Sequence, residues 1–168
     1  MFNASRTPAA RAAWWLAIPI SASLGAGALA QQPSASGSSP QVHQAEVAGA
    51  AGISAQMKAG ESTYQTVCLA CHQADGKGLP GAFPPLAGSD YLLGDKDRAV
   101  GVVVRGLEGE VVVNGVKYNS VMPAMTQLSD QEIADALTFA MNSWGNKGGA
   151  VSVAQVAAVR AKAAAEPK

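Results

Sequence analysis

Apolar side chains recur at helical spacing in the stretch that follows Ser129. Ile133, Leu137 and Met141 lie four residues apart, which places them on one face of a helix. Ser129 and Glu132 fit the S-x-x-E pattern of a capping box, in which each side chain bonds the other residue's backbone at the helix start. The pattern predicts an amphipathic helix that begins at Ser129.

Three further elements follow from similar patterns. A helix is expected over residues 59–70, where apolar positions recur at i, i+3 and i+4. A second is expected over residues 95–106, between a candidate N-cap aspartate and a terminal glycine. Asn114 and Gly115 separate two apolar stretches and tolerate positive φ, which indicates a two-residue hairpin turn. The predicted fold class is all-α, with one small β-hairpin.

The first thirty residues carry the pattern of a secretory signal. Arg6 and Arg11 give a positive start, residues 12–30 are apolar, and Ala28-Leu29-Ala30 is a small-x-small cleavage site. An uncleaved membrane anchor is the alternative, since the apolar run approaches the roughly 20 residues that span a bilayer. A proline and several Gly and Ser residues within the run disfavour a permanent anchor. We therefore expect residues 1–30 to be removed on export to the periplasm.

The remaining chain divides into three parts. Residues 31–56 are rich in Gln, Ser, Ala, Gly and Pro, which predicts a flexible linker. The ordered domain is expected over residues 57–146. The tail, residues 147–168, contains Val153, Val156 and Val159 among many alanines and either forms a weak helix on the domain or stays solvated. Because a domain of about ninety residues buries a modest share of its surface, a large apolar cofactor would help to build its core.

The charge balance bears on the class of partner. The chain has 12 basic and 12 acidic residues, with no basic stripe interleaved with aromatics. A nucleic-acid partner is therefore not expected. Removal of the signal takes away two basic residues and no acidic ones, which leaves a net charge of 10 − 12 = −2 on the mature polypeptide.

The strongest chemical motif is Cys68-Leu69-Ala70-Cys71-His72, a C-x-x-C-H attachment pattern for c-type haem. Thiols one helical turn apart can bond the two haem vinyl groups, and the adjacent imidazole can bind iron. A disulfide here would close a tiny loop. A structural zinc site needs four ligands, and the only other histidine is His43 in the linker. A redox dithiol is expected near a βαβ unit, which the pattern does not predict. We expect one haem c, attached covalently through Cys68 and Cys71.

A ligating histidine usually donates its second ring N–H to a carbonyl or carboxylate. Residues 80–88 form a proline-rich loop shortly after His72. The carbonyl of Pro84 is the first candidate acceptor and that of Pro85 the second. The alternative is a loop that only packs against the haem edge.

The second axial position of the iron decides what the haem does. A thioether ligand closes the site and suits electron transfer, whereas an open position suits a haem enzyme or a gas sensor. Met122 and Met125 lie on a proline-stiffened loop between the hairpin and the last helix. Met122 is the first candidate ligand, and Met125 is either the alternative or a packing residue. Met141 falls on the apolar helix face, and a second histidine ligand would require His43 from the linker.

The motifs in this order resemble those of the class I cytochromes c. The resemblance covers roughly residues 60–145 and rests on four segments: Cys68-Leu69-Ala70-Cys71-His72, Phe83-Pro84-Pro85-Leu86-Ala87-Gly88, Val121-Met122-Pro123 and Leu128-Ser129-Asp130-Gln131-Glu132-Ile133. It implies the all-α class I fold, here with a small β-hairpin insertion before the methionine-ligand loop. It also implies His72 and Met122 as iron ligands and Pro84 as the carbonyl partner of His72.

A narrower likeness concerns residues 114–123 and 142–146. They are similar to cytochrome c domains fused to some copper nitrite reductases and to cytochrome subunits of periplasmic dehydrogenases. The chain has no pool of His and Cys for a copper domain, so the likeness implies only the electron-donor module. The expected function is that of a periplasmic single-electron carrier and not of an enzyme. A tethered subunit of a dehydrogenase or of a nitrite or oxygen reductase is the alternative, and the expected partners are such redox proteins, including a terminal oxidase.

Overall fold

A computed structural model describes residues 40–166, with side chains from residue 52 onward. The described chain is mostly helical, with a π-helical turn at Tyr64–Cys68 between the first two α-helices and one two-stranded antiparallel sheet. Its elements in chain order are α1 (Pro40–Thr63), α2 (Leu69–His72), α3 (Asp90–Gly94), α4 (Lys96–Arg105), β1 (Val111–Val113), β2 (Val116–Tyr118), α5 (Asp130–Asn142) and α6 (Val153–Ala165). The predicted signal, residues 1–30, lies outside the described residues. None of the described helices is long and apolar enough to cross a membrane.

Helices α1 and α5 cross at very short range. Gly60 is buried at the crossing, and a Cβ at this position would collide with the carbonyl oxygen of Asp135. Beyond the crossing, the rings of Tyr64, Phe139 and Trp144 pack together with centroids 5.2–5.6 Å apart. A small residue followed one turn later by a large aromatic ring therefore sets how α1 lies on α5.

The helix predicted over residues 59–70 is interrupted by the π turn. The N–H of Leu69 bonds the carbonyl of Tyr64, five residues earlier, and α2 then continues to His72. Such widened turns are rare and are found frequently at functional sites. Here the turn contains Cys68 and directly precedes α2, so it sets how Cys71 and His72 are rotated about the helix axis.

The prediction of a flexible linker over residues 31–56 is wrong from Pro40 onward, where α1 already begins. A proline is well tolerated in the first helical turn, and the following residues are rich in alanine, the strongest helix former. The end of this stretch is also tied to the domain, because Nε2 of Gln56 donates to the carbonyl of Val151 at 3.0 Å. Residues 31–39 lie outside the described part of the chain.

The C-terminal tail is a helix that belongs to the domain. Ser152 caps α6 by accepting a hydrogen bond from the N–H of Gln155. Val151 and Val156 are fully buried, and Arg160 pairs with Asp130 at 2.7 Å. The predicted domain boundaries of 57–146 are therefore too narrow at both ends, because α1 and α6 both pack on α5.

The other local predictions are confirmed. Asp95 caps α4 through a hydrogen bond from the N–H of Arg98, and Gly106 ends it with φ +79°. The hairpin turns at Asn114 and Gly115, whose φ angles are +52° and +77°. Helix α5 begins with the expected capping box. Helix α3 was not predicted; its five residues are too few for a periodic signal.

The core lies between α4, α5 and α6. Its fully or nearly fully buried members are Leu92, Ala99, Val100, Val104, Leu128, Ile133, Ala134, Leu137, Ala140, Met141, Val151, Val156 and Val159. The side of this core away from α6 opens into a cavity.

Candidate functional site

An apolar cavity of about 260 Å³ lies between α2, α4, α5 and the two loops that flank the hairpin. It brings together all five residues predicted from the sequence to hold a cofactor. Its lining includes Cys68, Cys71, His72 and Pro84 from one segment of the chain and Met122 from another. The remaining wall is almost entirely aliphatic and aromatic, as expected for a large planar apolar group.

The two cysteines are free thiols and half-buried. Burial, followed by the neighbouring Cys71, raises the pKa of Cys68 to about 11. Redox-active C-x-x-C pairs have the opposite property, a lowered thiol pKa that maintains a reactive thiolate. The environment of Cys68 therefore disfavours the redox-dithiol alternative and fits thiols that end as thioethers.

His72 is the last residue of α2, and its ring is oriented by a backbone carbonyl. Nδ1 lies 3.1 Å from the carbonyl oxygen of Pro84. Since a carbonyl only accepts, Nδ1 carries the proton and Nε2 is left unprotonated. Burial lowers the pKa of His72, and the hydrogen bond to Pro84 opposes that effect. The result is a neutral imidazole whose Nε2 lone pair is available to a metal.

The loop from His72 to Pro84 folds back tightly on the histidine. The N–H of Gly78 donates to the carbonyl of His72 at 3.0 Å, and Leu79 and Phe83 form a short antiparallel bridge. Gly78 has φ +64°, and a Cβ there would collide with the carbonyl oxygens of Phe83 and Pro84. A glycine at this position therefore permits the approach that brings the Pro84 carbonyl to His72.

Met122 and Met125 both line the cavity but are held differently. The backbone of Met122 exchanges two 2.9 Å hydrogen bonds with Leu107, and its side chain is not packed against the buried core. Met125 packs against that core, and its sulfur lies 3.6 Å from the amide nitrogen of Gln127. This difference favours Met122 as the thioether available to a cofactor and Met125 as a packing residue.

Three residues of the site's framework were missed by sequence reasoning. Asn146 is buried and bonds Leu86, Gly88 and Ala140. Trp144 donates its indole N–H to the carbonyl of Ala74 at 3.0 Å. Ser120 donates to the carbonyl of Ala82 at 2.5 Å and so joins the loops from the two sides of the cavity. Local sequence carries no signal for such long-range bonds.

The comparison with protein families agrees with this geometry. Residues 55–139, about half of the chain, match the family model described as cytochrome c oxidase, cbb3-type, subunit III. The chain belongs to the cytochrome c family. The matched segment contains the C-x-x-C-H motif, the proline loop, the hairpin and Met122, so the residues around the cavity are those of a cytochrome c domain.

Individual relatives of this cytochrome include a cytochrome c-552 and cytochrome c subunits of dehydrogenases. Cytochrome c-552 of Thermus thermophilus is 45% identical over 83 residues, which are 47% of this chain and 63% of that protein. The cytochrome c subunit of the quinone-dependent alcohol dehydrogenase of Gluconobacter oxydans is 35% identical over 107 residues, 62% of this chain and 22% of the relative. The gluconate 2-dehydrogenase cytochrome c subunit of Pantoea cypripedii is 36% identical over 107 residues, 60% of this chain and 24% of that subunit. The match thus spans less than two thirds of each relative's own length.

Proposed function

We propose that this cytochrome is a periplasmic single-electron carrier with one haem c. Cys68 and Cys71 bind the haem covalently, and His72 and Met122 ligate its iron. The proposal is carried by one observation, the apolar cavity on which two thiols, an oriented imidazole and a free thioether converge. These donors fit haem c, because the two thiols would form its covalent attachments and the imidazole and the thioether would both bind its iron.

When bound, the haem supplies a one-electron couple; the chain supplies binding, orientation and environment. The Pro84 carbonyl fixes the His72 tautomer and leaves Nε2 as the ligand atom. Methionine as the other iron ligand gives a higher reduction potential than a second histidine would. The aliphatic wall excludes water from the site, and the bridge to Leu107 holds the Met122 backbone in place. With both ligands kept in either oxidation state, no substrate position is open, so the protein is a carrier and not an enzyme.

The face around the loops at the cavity mouth is the proposed meeting point with a redox partner. Leu79 and Val121 expose 50% and 65% of their surface; Val121 lines the cavity, and Leu79 pairs with Phe83, which also lines it. The proposed docking surface of this chain also includes Ala82, Phe83 and Ala124. Small apolar contacts of this type suit the transient complexes of electron-transfer proteins.

A second candidate function is an electron-transfer subunit of a larger complex. It is favoured by the relatives named as cytochrome subunits of alcohol and gluconate dehydrogenases. The redox chemistry is the same, and the difference lies in a permanent partner. Isolation of the native protein separates the two candidates: a free monomer supports the carrier, and a stoichiometric dehydrogenase, nitrite reductase or oxidase partner supports the subunit.

The electron-transfer proposal is tested by the absorption spectrum and voltammetry of the chain matured with haem. We expect covalent haem, a low-spin spectrum, a methionine–iron charge-transfer band in the oxidised form and one reversible one-electron wave. A high-spin oxidised protein without that band, which binds small ligands at the iron, would instead support a haem enzyme or gas sensor.

A further inference from the structure

Two asparagines near the end of α5 make matching sets of hydrogen bonds in different directions. Nδ2 of Asn146 donates to the carbonyls of Ala140 and Leu86, at 2.8 and 2.9 Å, and its Oδ1 accepts from the N–H of Gly88 at 2.8 Å. Nδ2 of Asn142 donates to the carbonyls of Thr138 and Gly149, at 2.6 and 3.0 Å, and its Oδ1 accepts from the N–H of Gly149 at 3.1 Å. Asn142 therefore holds the C-terminal segment, whereas Asn146 holds the proline loop.

The part of the proline loop that Asn146 holds begins two residues after Pro84. On the other flank, the bridge between Leu79 and Phe83 fixes the chain immediately before Pro84. The N–H groups of Leu86 and Ala87 also donate to the carbonyl of Gly76, at 2.7 and 2.9 Å. Gly76 lies in the same segment between α2 and α3, so those two bonds do not connect the proline loop to the helical core.

Leu86 packs against the buried core, and the hydrogen bonds that connect residues 86–88 to α5 come from Asn146. It is only 6% exposed, and its amide uses both donors and its acceptor within the protein. Its bond to Ala140 fixes the amide to α5, and its bonds to Leu86 and Gly88 fix the loop to that amide. Buried polar groups with all partners in place give rigid, specific arrangements, and removal of one partner leaves the others unsatisfied.

We propose that Asn146 is a positioning residue for His72, acting through the Pro84 carbonyl. The chain of contacts runs from α5 through Asn146 to residues 86–88, and then through the Pro84 carbonyl to Nδ1 of His72. The inference rests on the proposed function in one respect, that His72 binds iron. It adds a residue distant from the cofactor that controls how strongly the histidine donates electron density.

The expected direction follows from the role of the carbonyl. A hydrogen bond from Nδ1 raises the basicity of a ligating imidazole, and a more basic ligand stabilises oxidised iron. When Asn146 is lost, the loop at residues 86–88 moves more freely and the Nδ1 bond opens more often. The reduction potential should therefore rise, and the His72 Nδ1–H proton should exchange with water about tenfold faster, as for loss of a buried hydrogen-bond partner.

The experiment compares Asn146→Ala with Asn142→Ala in the haem-loaded chain. Both substitutions remove a three-bond asparagine near the end of the same helix, so both lower the unfolding midpoint. Only Asn146→Ala should raise the reduction potential and accelerate exchange of the His72 Nδ1–H proton, measured by NMR on the reduced protein. Asn146→Ser, which leaves a smaller polar group beside the loop, carries the same prediction if the alanine variant does not accumulate.

Two outcomes would overturn the assignment. One is an Asn146 variant that is less stable but has an unchanged reduction potential and unchanged exchange of the His72 Nδ1–H proton. That result is expected if Asn146 only stabilises the fold. The other is an equal shift in both asparagine variants. Failure of the proposed function is seen separately, because it would appear in the unsubstituted protein as the absence of a low-spin, histidine-ligated spectrum.

Discussion

The two sides of the cavity are built in different ways. The segment that carries Cys68, Cys71 and His72 is held by a dense set of bonds: the loop closes on itself through Gly76 and Gly78, and Asn146 fastens it to α5. The segment that carries Met122 is held mainly by its backbone bridge to Leu107 and by the bond from Met125 N–H to the carbonyl of Val103, 2.9 Å.

This difference suggests that one side of the cavity retains the haem and that the other side determines its second iron ligand. Changes on the histidine side should determine whether the haem is attached and how its imidazole is oriented. Changes on the methionine side should alter the sixth ligand while the fold and the attached haem remain. Substitutions on each side of the cavity test that division.

The largest effect is expected from loss of attachment in the double variant Cys68→Ala, Cys71→Ala. An empty apolar cavity costs about 24 cal/mol per Å³, so 260 Å³ corresponds to at most about 6 kcal/mol, since this cavity is partly open. That is comparable to the whole stability of a small domain, roughly 5–15 kcal/mol. Urea unfolding and mass spectrometry should show a protein without covalent haem and with a much lower midpoint. A single-cysteine variant, which keeps one thioether, is the control. A double variant as stable as the haem-loaded wild type would contradict the account.

The next effect uses a glycine on each side of the cavity. Gly78 and Gly106 have φ +64° and +79°; a Cβ would collide with the Pro84 carbonyl in the first case and lie 2.6 Å from the Met122 carbonyl oxygen in the second. Each substitution by alanine should lower the free energy of unfolding by about 2 to 5 kcal/mol, from strained backbone and overpacking. Gly106→Ala should weaken the methionine–iron band, whereas Gly78→Ala should keep the band and raise the potential.

Each glycine variant is the control for the other, because both combine positive φ with a close carbonyl. Absorption at the charge-transfer band and voltammetry are measured on both proteins at the same haem content. The same spectrum and the same potential in both would remove the distinction between the two sides.

The smallest effect concerns the end of the methionine segment, where the capping box starts α5. Ser129→Ala should cost about 1 kcal/mol of unfolding free energy at neutral pH. The bonds from the Ser129 side chain and backbone lower the pKa of Glu132. A lowered folded-state pKa gives stability that is present above the unfolded value, about 4.3, and is lost as pH falls through the folded one.

Ser129→Ala removes part of that interaction, so its stability should fall less on acidification than that of the wild type. Urea titrations at neutral and acidic pH measure the difference. The methionine–iron band should persist, since the cap does not contact Met122. An unchanged acid dependence in Ser129→Ala would show that the cap does not set the Glu132 pKa.

The sequence was sufficient to predict the caps, turns and motifs whose interacting residues are close together in the chain. The caps at Asp95 and Ser129, the turn at Asn114 and Gly115, and the C-x-x-C-H motif each depend on residues within a few positions. The failures involve distant partners. Gln56 bonds Val151, which lies 95 positions later in the chain. Gln56 is part of α1, in a stretch whose composition had predicted a linker.

The candidate site shows the same limit. His72, Pro84 and Met122 were named from motifs, and the structure places all three around one cavity. Asn146 was not named, because its loop partners lie 58 and 60 positions earlier. Periodicity left α6 undecided for the same reason: whether its valines are buried depends on the surfaces of α4 and α5.

The most direct test of the account is the charge-transfer band of the oxidised protein in Met122→Ala and Met125→Ala. Both substitutions remove a thioether from the same loop and the same cavity. Met122→Ala is expected to lose the band, to become high spin and to have a lower potential, with little change in the unfolding midpoint. Met125→Ala should keep the band and lose about 2 kcal/mol of stability, since it packs against the core. A band that survives in Met122→Ala and disappears in Met125→Ala would contradict the ligand assignment.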